Sequence, residues 1–499
     1  MTRPAGAAGA NLILGRIDPF AHTSIMIIRT IGWWASAAAL AGLGCLKAPA
    51  LEPLPAIRVD SQKRGFVTAE RKPFVPWGVN YFRPGTGWAP QLWKKFDPDL
   101  ARLDFERMQG LGINCVRVFL TWGSFFEQPG VLSQEGLRRF DQLLDLAESR
   151  GIYVHPTGPD HWEGTPAWAR GDRFTDETLL RAQEEFWRLL AARYRGRSAI
   201  FAYDLLNEPA IPWESTGVLA RWKEWLHRHY QTPEQAARAW GVPTASIDWE
   251  KPAAPPPSGK GSRACLLDYQ RLRESVADAW VRRQAEAIRG ADPDALVTVG
   301  LIQWSVPVLL PGLQHYAGFR PERIAPLVDF LEIHFYPLAG GFYEYDSAGE
   351  VRNLAYLESV VRECARFAKP VVVAEFGWYG GGQLTIDQGR HRPATEEDQA
   401  RWCRRAVEVT AGLACGWLNW GLYDHPEARD VTQLTGLLDV AGQTKAWGRA
   451  FQELGTRWNG EGIPPPPALK RPPPDWDAWL TNPEAARSYR DNYLRSFHP

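Results

Sequence analysis

The chain has no surplus charge of either sign. Its 57 Lys and Arg balance 57 Asp and Glu, for a formal net charge of zero. No polyanion-attracting field therefore surrounds it, and nucleic acid is not an expected partner. Cysteine is sparse, with six in 499 residues: Cys45, Cys115, Cys265, Cys364, Cys403 and Cys415. None forms a CxxC pair and no histidine stands at ligand spacing from them, which argues against a structural zinc. Cys115 and Cys415 lie in apolar, strand-like runs and read as inert core residues, while Cys403 and Cys415 are available as a disulfide pair. Apolar runs of membrane-spanning length are lacking too. The segment IGWWASAAALAGLG at 31–44 falls short of the roughly 20 residues that cross a bilayer, but it suits the core of a signal peptide. There is no internal repeat.

Around that apolar segment, residues 1–50 read as a targeting region. Arg29 precedes the run, Met26 is a natural start giving the short leader MIIRT, and Cys45 follows. The triplet LGC resembles the end of a bacterial lipoprotein box, except that Gly42 occupies the place where leucine is usual. Export to the periplasm, the cell surface or the medium is the expectation, with lipid attachment at Cys45 as one route. An uncleaved anchor is the alternative.

What the sequence does hold is tryptophan, 24 of them. A flat indole suits the apolar C–H face of a pyranose, although core packing claims at least half of such residues. From residue 74 onward, short β-branched or apolar runs alternate with amphipathic stretches, the pattern of parallel strands joined by helical crossovers. The strand candidates are 74–80, 114–120, 152–156, 199–206, 295–300, 329–335, 370–375 and 413–420. Helices are expected over 99–112, 135–150, 176–195, 264–290, 350–368, 395–411 and 443–455. Eight such units predict a closed (β/α)8 TIM barrel over 51–458. A long insertion after the fourth strand, 212–263, is expected to wall the cleft or to face solvent. A proline-rich linker and short tail, 459–499, is expected to pack back on the barrel or to be disordered.

Two carboxylates end the right strands for chemistry. Asn207-Glu208-Pro209 closes the fourth and Glu375 closes the seventh, so both point toward the barrel mouth. Retaining glycoside hydrolysis needs two carboxyl groups about 5–5.5 Å apart, one protonated and one ionised. Strict alternation would send Asn207 and Glu208 to opposite faces, so a bulge or turn must begin there for both to reach the site. Arg117, in CVRVFLTW, is placed to keep Glu375 ionised, and Tyr336 to donate a hydrogen bond to it.

These ordered motifs resemble glycoside hydrolase family 5, the cellulase and mannanase family, from about Phe74 to Gly455. The resemblance implies Glu208 as acid/base, Glu375 as nucleophile, Arg117 as its orienting arginine and Asn207 as the contact to the 2-hydroxyl of the sugar. It also implies His334 and Tyr336 of EIHFYP as the sixth-strand pair and Trp420 as the floor of the cleaved sugar's subsite. For the third-strand histidine, His155 and His161 compete, and His161 is favoured for lying further into the loop. Trp88, Trp122, Trp162, Trp213 and Trp378 are candidates for further subsites. The segment RWKEWLHRHYQTPEQAARAWG resembles family 42 β-galactosidases instead. The implied activity is hydrolysis of β-linked glucan or mannan, with an oligo- or polysaccharide as partner and no metal or organic cofactor. The alternatives are an exo-acting, β-galactosidase-like hydrolase and a noncatalytic carbohydrate-binding barrel.

Overall fold

The computed structural model describes residues 53–310, 312–337, 345, 347–386, 389–466 and 468–497; Arg29 and Cys45, with the segment expected to serve in targeting, lie outside them. Three short strands come first, β1 (Ile57–Val59), β2 (Phe66–Thr68) and β3 (Pro73–Phe74), forming a small antiparallel sheet. Eight parallel strands follow: β4 (Trp77–Asn80), β5 (Cys115–Thr121), β6 (Tyr153–Asp160), β7 (Tyr203–Asn207), β8 (Val297–Leu301), β9 (Leu331–Phe335), β10 (Val371–Phe376) and β11 (Gly416–Asn419). They close into a barrel in chain order, with β11 pairing β4. Each falls on one of the eight expected segments. The helices follow the amphipathic pattern. In Gln134–Ser149 the buried stripe is Leu137, Phe140, Leu143, Leu144 and Ala147, and the Ser133 side chain caps the N-terminus by accepting from Gly136 N.

The small sheet was not expected, because strands of two or three residues carry no readable period. It closes the N-terminal end of the barrel. Phe66 meets Phe201 and Phe330 edge-on at 5.1 and 5.2 Å, Phe74 meets Tyr153 at 4.9 Å, and all five share one core cluster. Solvent is thereby kept from one mouth of the cylinder, and the chemistry is left to the other.

The insertion after β7 folds into helices Thr216–His229 and Pro233–Trp240. Trp222 stacks with Trp225 and Trp240 and meets Tyr269 of the long helix Arg263–Ala291 edge-on, so its aromatic face is spent on the outer helix layer. The tail packs back on the barrel. Its helices Trp476–Thr481 and Pro483–Ser496 bury Trp479, Leu480 and Tyr493, and Arg471 pairs with Glu358 at 2.7 Å. Cys403 and Cys415 are both free thiols, which corrects the disulfide expectation: Cys415 points its sulfur at the Val371 carbonyl. Cys115 and Cys415 are buried, as expected for core residues. Among the described residues, no helix is long and apolar enough to cross a membrane.

Candidate active site

The C-terminal ends of the strands carry the ionisable residues, and irregular pairing aims them. The β7–β8 register slips between Asp204 and Asn207, and Glu208 takes a left-handed backbone with φ 47°, its N–H donating to the Gly300 carbonyl at 2.9 Å. That is the bulge the alternation argument required. A non-glycine residue held there stores roughly 1–3 kcal/mol of strain. The β9–β10 register slips as well, between Val373 and Glu375. Gly300 leaves the necessary room, since a Cβ there would stand 3.0–3.1 Å from His334, Arg117 and Asp204.

Arg117 is the hub. Its fully buried guanidinium donates from Nη1 to Glu375 Oε1 at 2.6 Å and to Asn80 Oδ1 at 2.9 Å. From Nη2 it donates to Asp204 at 2.7 Å and to Asn207 Oδ1 at 2.9 Å. Its Nε lies 3.2 Å from Glu332. A planar fork with five donors suits this many acceptors, where a lysine would reach fewer.

Above it, Glu208, His334 and Glu375 bring one ligand-type atom each within 4.8 Å of one another. His334 Nδ1 is 3.2 Å from Glu208 Oε1 and 3.4 Å from Glu375 Oε1. Tyr336 Oη donates to Glu375 Oε2 at 3.0 Å. The two glutamates differ in environment: the Glu375 side chain is 3% exposed and that of Glu208 27%. Burial lifts the Glu375 carboxyl to about 7, against the pull of His334 and Arg117 and with a further push from Glu208. Burial would lower His334, but Glu375 and the hydrogen bonds to Glu208 and Glu332 outweigh it and raise the imidazole to about 9. Three such ligand atoms are a conceivable metal triad. The Arg117 guanidinium already neutralises Glu375, however, and a divalent ion would meet that charge at close range.

A second polar layer, beneath the first, went unremarked in the sequence. Glu332 Oε2 accepts from His155 Nε2 at 2.8 Å, and His155 Nδ1 faces the Ala202 carbonyl at 2.8 Å. His155 is therefore a buried partner of Glu332 and not a substrate contact. Burial raises Asp204, with Glu332 adding to it and Arg117 opposing. Glu332 is driven the other way, far below the usual carboxylate range, because His155 and Arg117 outweigh its burial. The signal was available: Glu332, His334 and Tyr336 alternate on one face of a strand otherwise apolar, and Asp204 interrupts the run YDLLN.

Trp420 follows β11 and is 8% exposed. Its Nε1 donates to Thr432 Oγ1 at 2.7 Å, while Phe82, Phe119 and Tyr336 surround the ring at 5.2, 5.9 and 6.5 Å. His161 is not drawn into the carboxylate cluster. Its side chain is 59% exposed, 2.7 Å from Asp160 and stacked on Trp162, because β6 runs on to Asp160 and the chain leaves the rim there. Among the other tryptophans, Trp122 and Trp378 are fully buried core and Trp213 packs on Tyr269 and under Arg273. Trp88 and Trp162 meet edge-on at 4.8 Å on the rim.

Fold and site together define a (β/α)8 barrel with facing glutamates at its C-terminal rim. The family profile described as Cellulase (glycosyl hydrolase family 5) matches residues 101–426, and the chain belongs to that family. The beta-galactosidase BglY of Alicyclobacillus acidocaldarius is 23% identical over 54% of this chain and 40% of its own length. A putative mannan endo-1,4-beta-mannosidase of Oryza sativa is 21% identical over 50% of this chain and 54% of its own. The chain thus spans about half the length of these curated relatives or less. Among solved structures, the exo-beta-1,4-mannosidase Op5Man5 of Opitutaceae bacterium strain TAV5 superposes with TM-score 0.56 at 21% identity, covering 81% of this chain and 63% of that one.

Proposed function

We propose that the protein is a retaining β-glycoside hydrolase acting on β-mannan type substrates, with Glu375 as nucleophile and Glu208 as acid/base. One observation carries the reading: carboxylate oxygens of Glu208 and Glu375 lie within 4.8 Å of each other across the mouth. That is nearer the roughly 5–5.5 Å spacing of a double displacement than the roughly 6.5–9.5 Å that inversion uses to seat a water. In the first step a Glu375 oxygen attacks the anomeric carbon, the bond to the leaving oxygen breaks, and Glu208 gives that oxygen its proton. In the second, Glu208 takes a proton from water, whose oxygen attacks the same carbon and frees Glu375. Arg117 and Tyr336 hold Glu375 from two sides, Asn207 stands beside it for the 2-hydroxyl, and Trp420 offers the stacking floor. The mannosidase relatives and the mannosidase structure support the mannan class. The intact carboxylate pair speaks against a noncatalytic binding barrel. Export, and lipid attachment at Cys45, rest on the apolar run 31–44 behind Arg29.

The test is trapping. A 2-deoxy-2-fluoroglycoside should esterify Glu375, found by peptide mapping, and Glu375→Ala should lower turnover by roughly 10⁴-fold or more in a chain that still folds. Near-normal hydrolysis by that variant, or a label elsewhere, would refute the assignment.

A further inference from the structure

We infer that the site removes single sugar residues from a chain end, because the rim behind Trp420 is stitched into a wall across the path of any second glycone unit. This rests on the retaining-hydrolase reading. In that reading Glu208 protonates the oxygen joining the cleaved sugar to its leaving group, so the leaving group lies on the β7 side. The retained sugar lies on Trp420, at the end of β11. A longer glycone would have to continue over the loops that follow β11 and its barrel neighbour β4.

Those loops, 420–445 and 81–97, are tied to each other. His425 Nε2 donates to the Gly87 carbonyl at 2.6 Å, and Gly87 N donates to Glu427 Oε2 at 2.9 Å. Phe82 touches both Trp420 and His425, at 5.2 and 5.5 Å. The loop after β6 joins them through Gln91 Nε2, which donates to the Trp162 carbonyl at 2.6 Å, and through the edge-on Trp88–Trp162 pair. The buried Glu163 carboxylate then accepts from Leu92 N, Lys94 N, Thr121 Oγ1 and Ser124 Oγ, which fastens β5 to the same structure. Four adjacent barrel positions, β11, β4, β5 and β6, therefore share one continuous rim. Opening a groove through it would unpair buried groups. The indole N–H groups of Trp88 and Trp162 are shielded and have no hydrogen-bond partner among the described residues. The helices of the insertion after β7, expected either to wall the cleft or to face solvent, pack on the long outer helix Arg263–Ala291.

The experiment uses the full chain with β-1,4-mannohexaose and cellohexaose, resolving the earliest products, beside 2-deoxy-2-fluoro β-mannosyl and β-glucosyl fluorides as labels. The expected result is labelling of Glu375 by a monosaccharide reagent and release of monosaccharide alone, each chain shortening one unit at a time. First products of two or more sugars overturn the chain-end inference and leave the hydrolase reading standing. So does labelling without cleavage of either hexaose. Neither labelling nor cleavage overturns both. The double variant His425→Ala, Glu427→Ala removes both bonds to Gly87 and loosens the wall, so disaccharide, absent from the wild-type first products, should appear among those of the variant. Trp88→Ala opens the same wall while leaving His425 and Glu427 in place. Monosaccharide as the sole first product of both variants contradicts the inference.

Discussion

Two layers of ionisable groups lie one above the other inside the barrel, and Arg117 belongs to both. In the lower layer Glu332, Asp204 and His155 are fully buried and answered by short polar contacts. In the upper layer Glu208 and Glu375 repel one another, and Glu208 sits on strained backbone. The same residue types are thus spent oppositely: one layer uses charge to hold the strands in register, the other holds charge out of balance so that it can react. The difference teaches where to expect loss of fold and where loss of activity alone.

The largest contrast should come from the lower layer. Glu332→Ala leaves Arg117 and His155 buried with a counter-charge missing, and should cost about 3–5 kcal/mol in urea unfolding. If the loss is under about 1 kcal/mol, the lower layer is not structural in this sense.

A middle-sized effect is expected above it, in Tyr336→Phe. Glu375 must be ionised to attack, and burial has raised it to about 7, so kcat/KM on an activated aryl glycoside should fall as pH drops below that value. Tyr336 donates to the charged form. Removing its hydroxyl therefore raises Glu375 further and should move the acid limb upward by about one unit, with kcat down roughly 10- to 100-fold and thermal stability little changed. A limb that stays in place separates Tyr336 from Glu375.

The smallest effect has the opposite sign. Glu208→Gly relieves a positive φ and one like charge, and should stabilise the fold by about 1 kcal/mol while abolishing the acid/base. Destabilisation would mean that the Glu208–His334 contact outweighs the strain.

Much of this was legible in advance, for a physical reason. Long apolar strands and amphipathic helices imprint their periods over many residues, so the eight barrel strands could be read. Glu208, Glu375, Arg117, His334 and Tyr336 could be read with them because strand ends fix where a side chain points. His161 could not be placed, since β6 runs four residues past the expected end at 156, through Asp160, and carries His161 out to the rim. The small N-terminal sheet is too short for a period, and the role of the insertion depended on which face its tryptophans spend. Glu332 and Asp204 were visible as charges in apolar strands, but their partners lie on other strands.

The most direct test of the central claim is the stereochemistry of the first product. Proton NMR of a reaction begun on a β-linked substrate should show the β anomer forming first and mutarotating afterwards, as expected where one oxygen of each carboxylate lies within 4.8 Å of the other. Initial appearance of the α anomer would mean inversion, and would contradict the assignment of Glu375 as nucleophile.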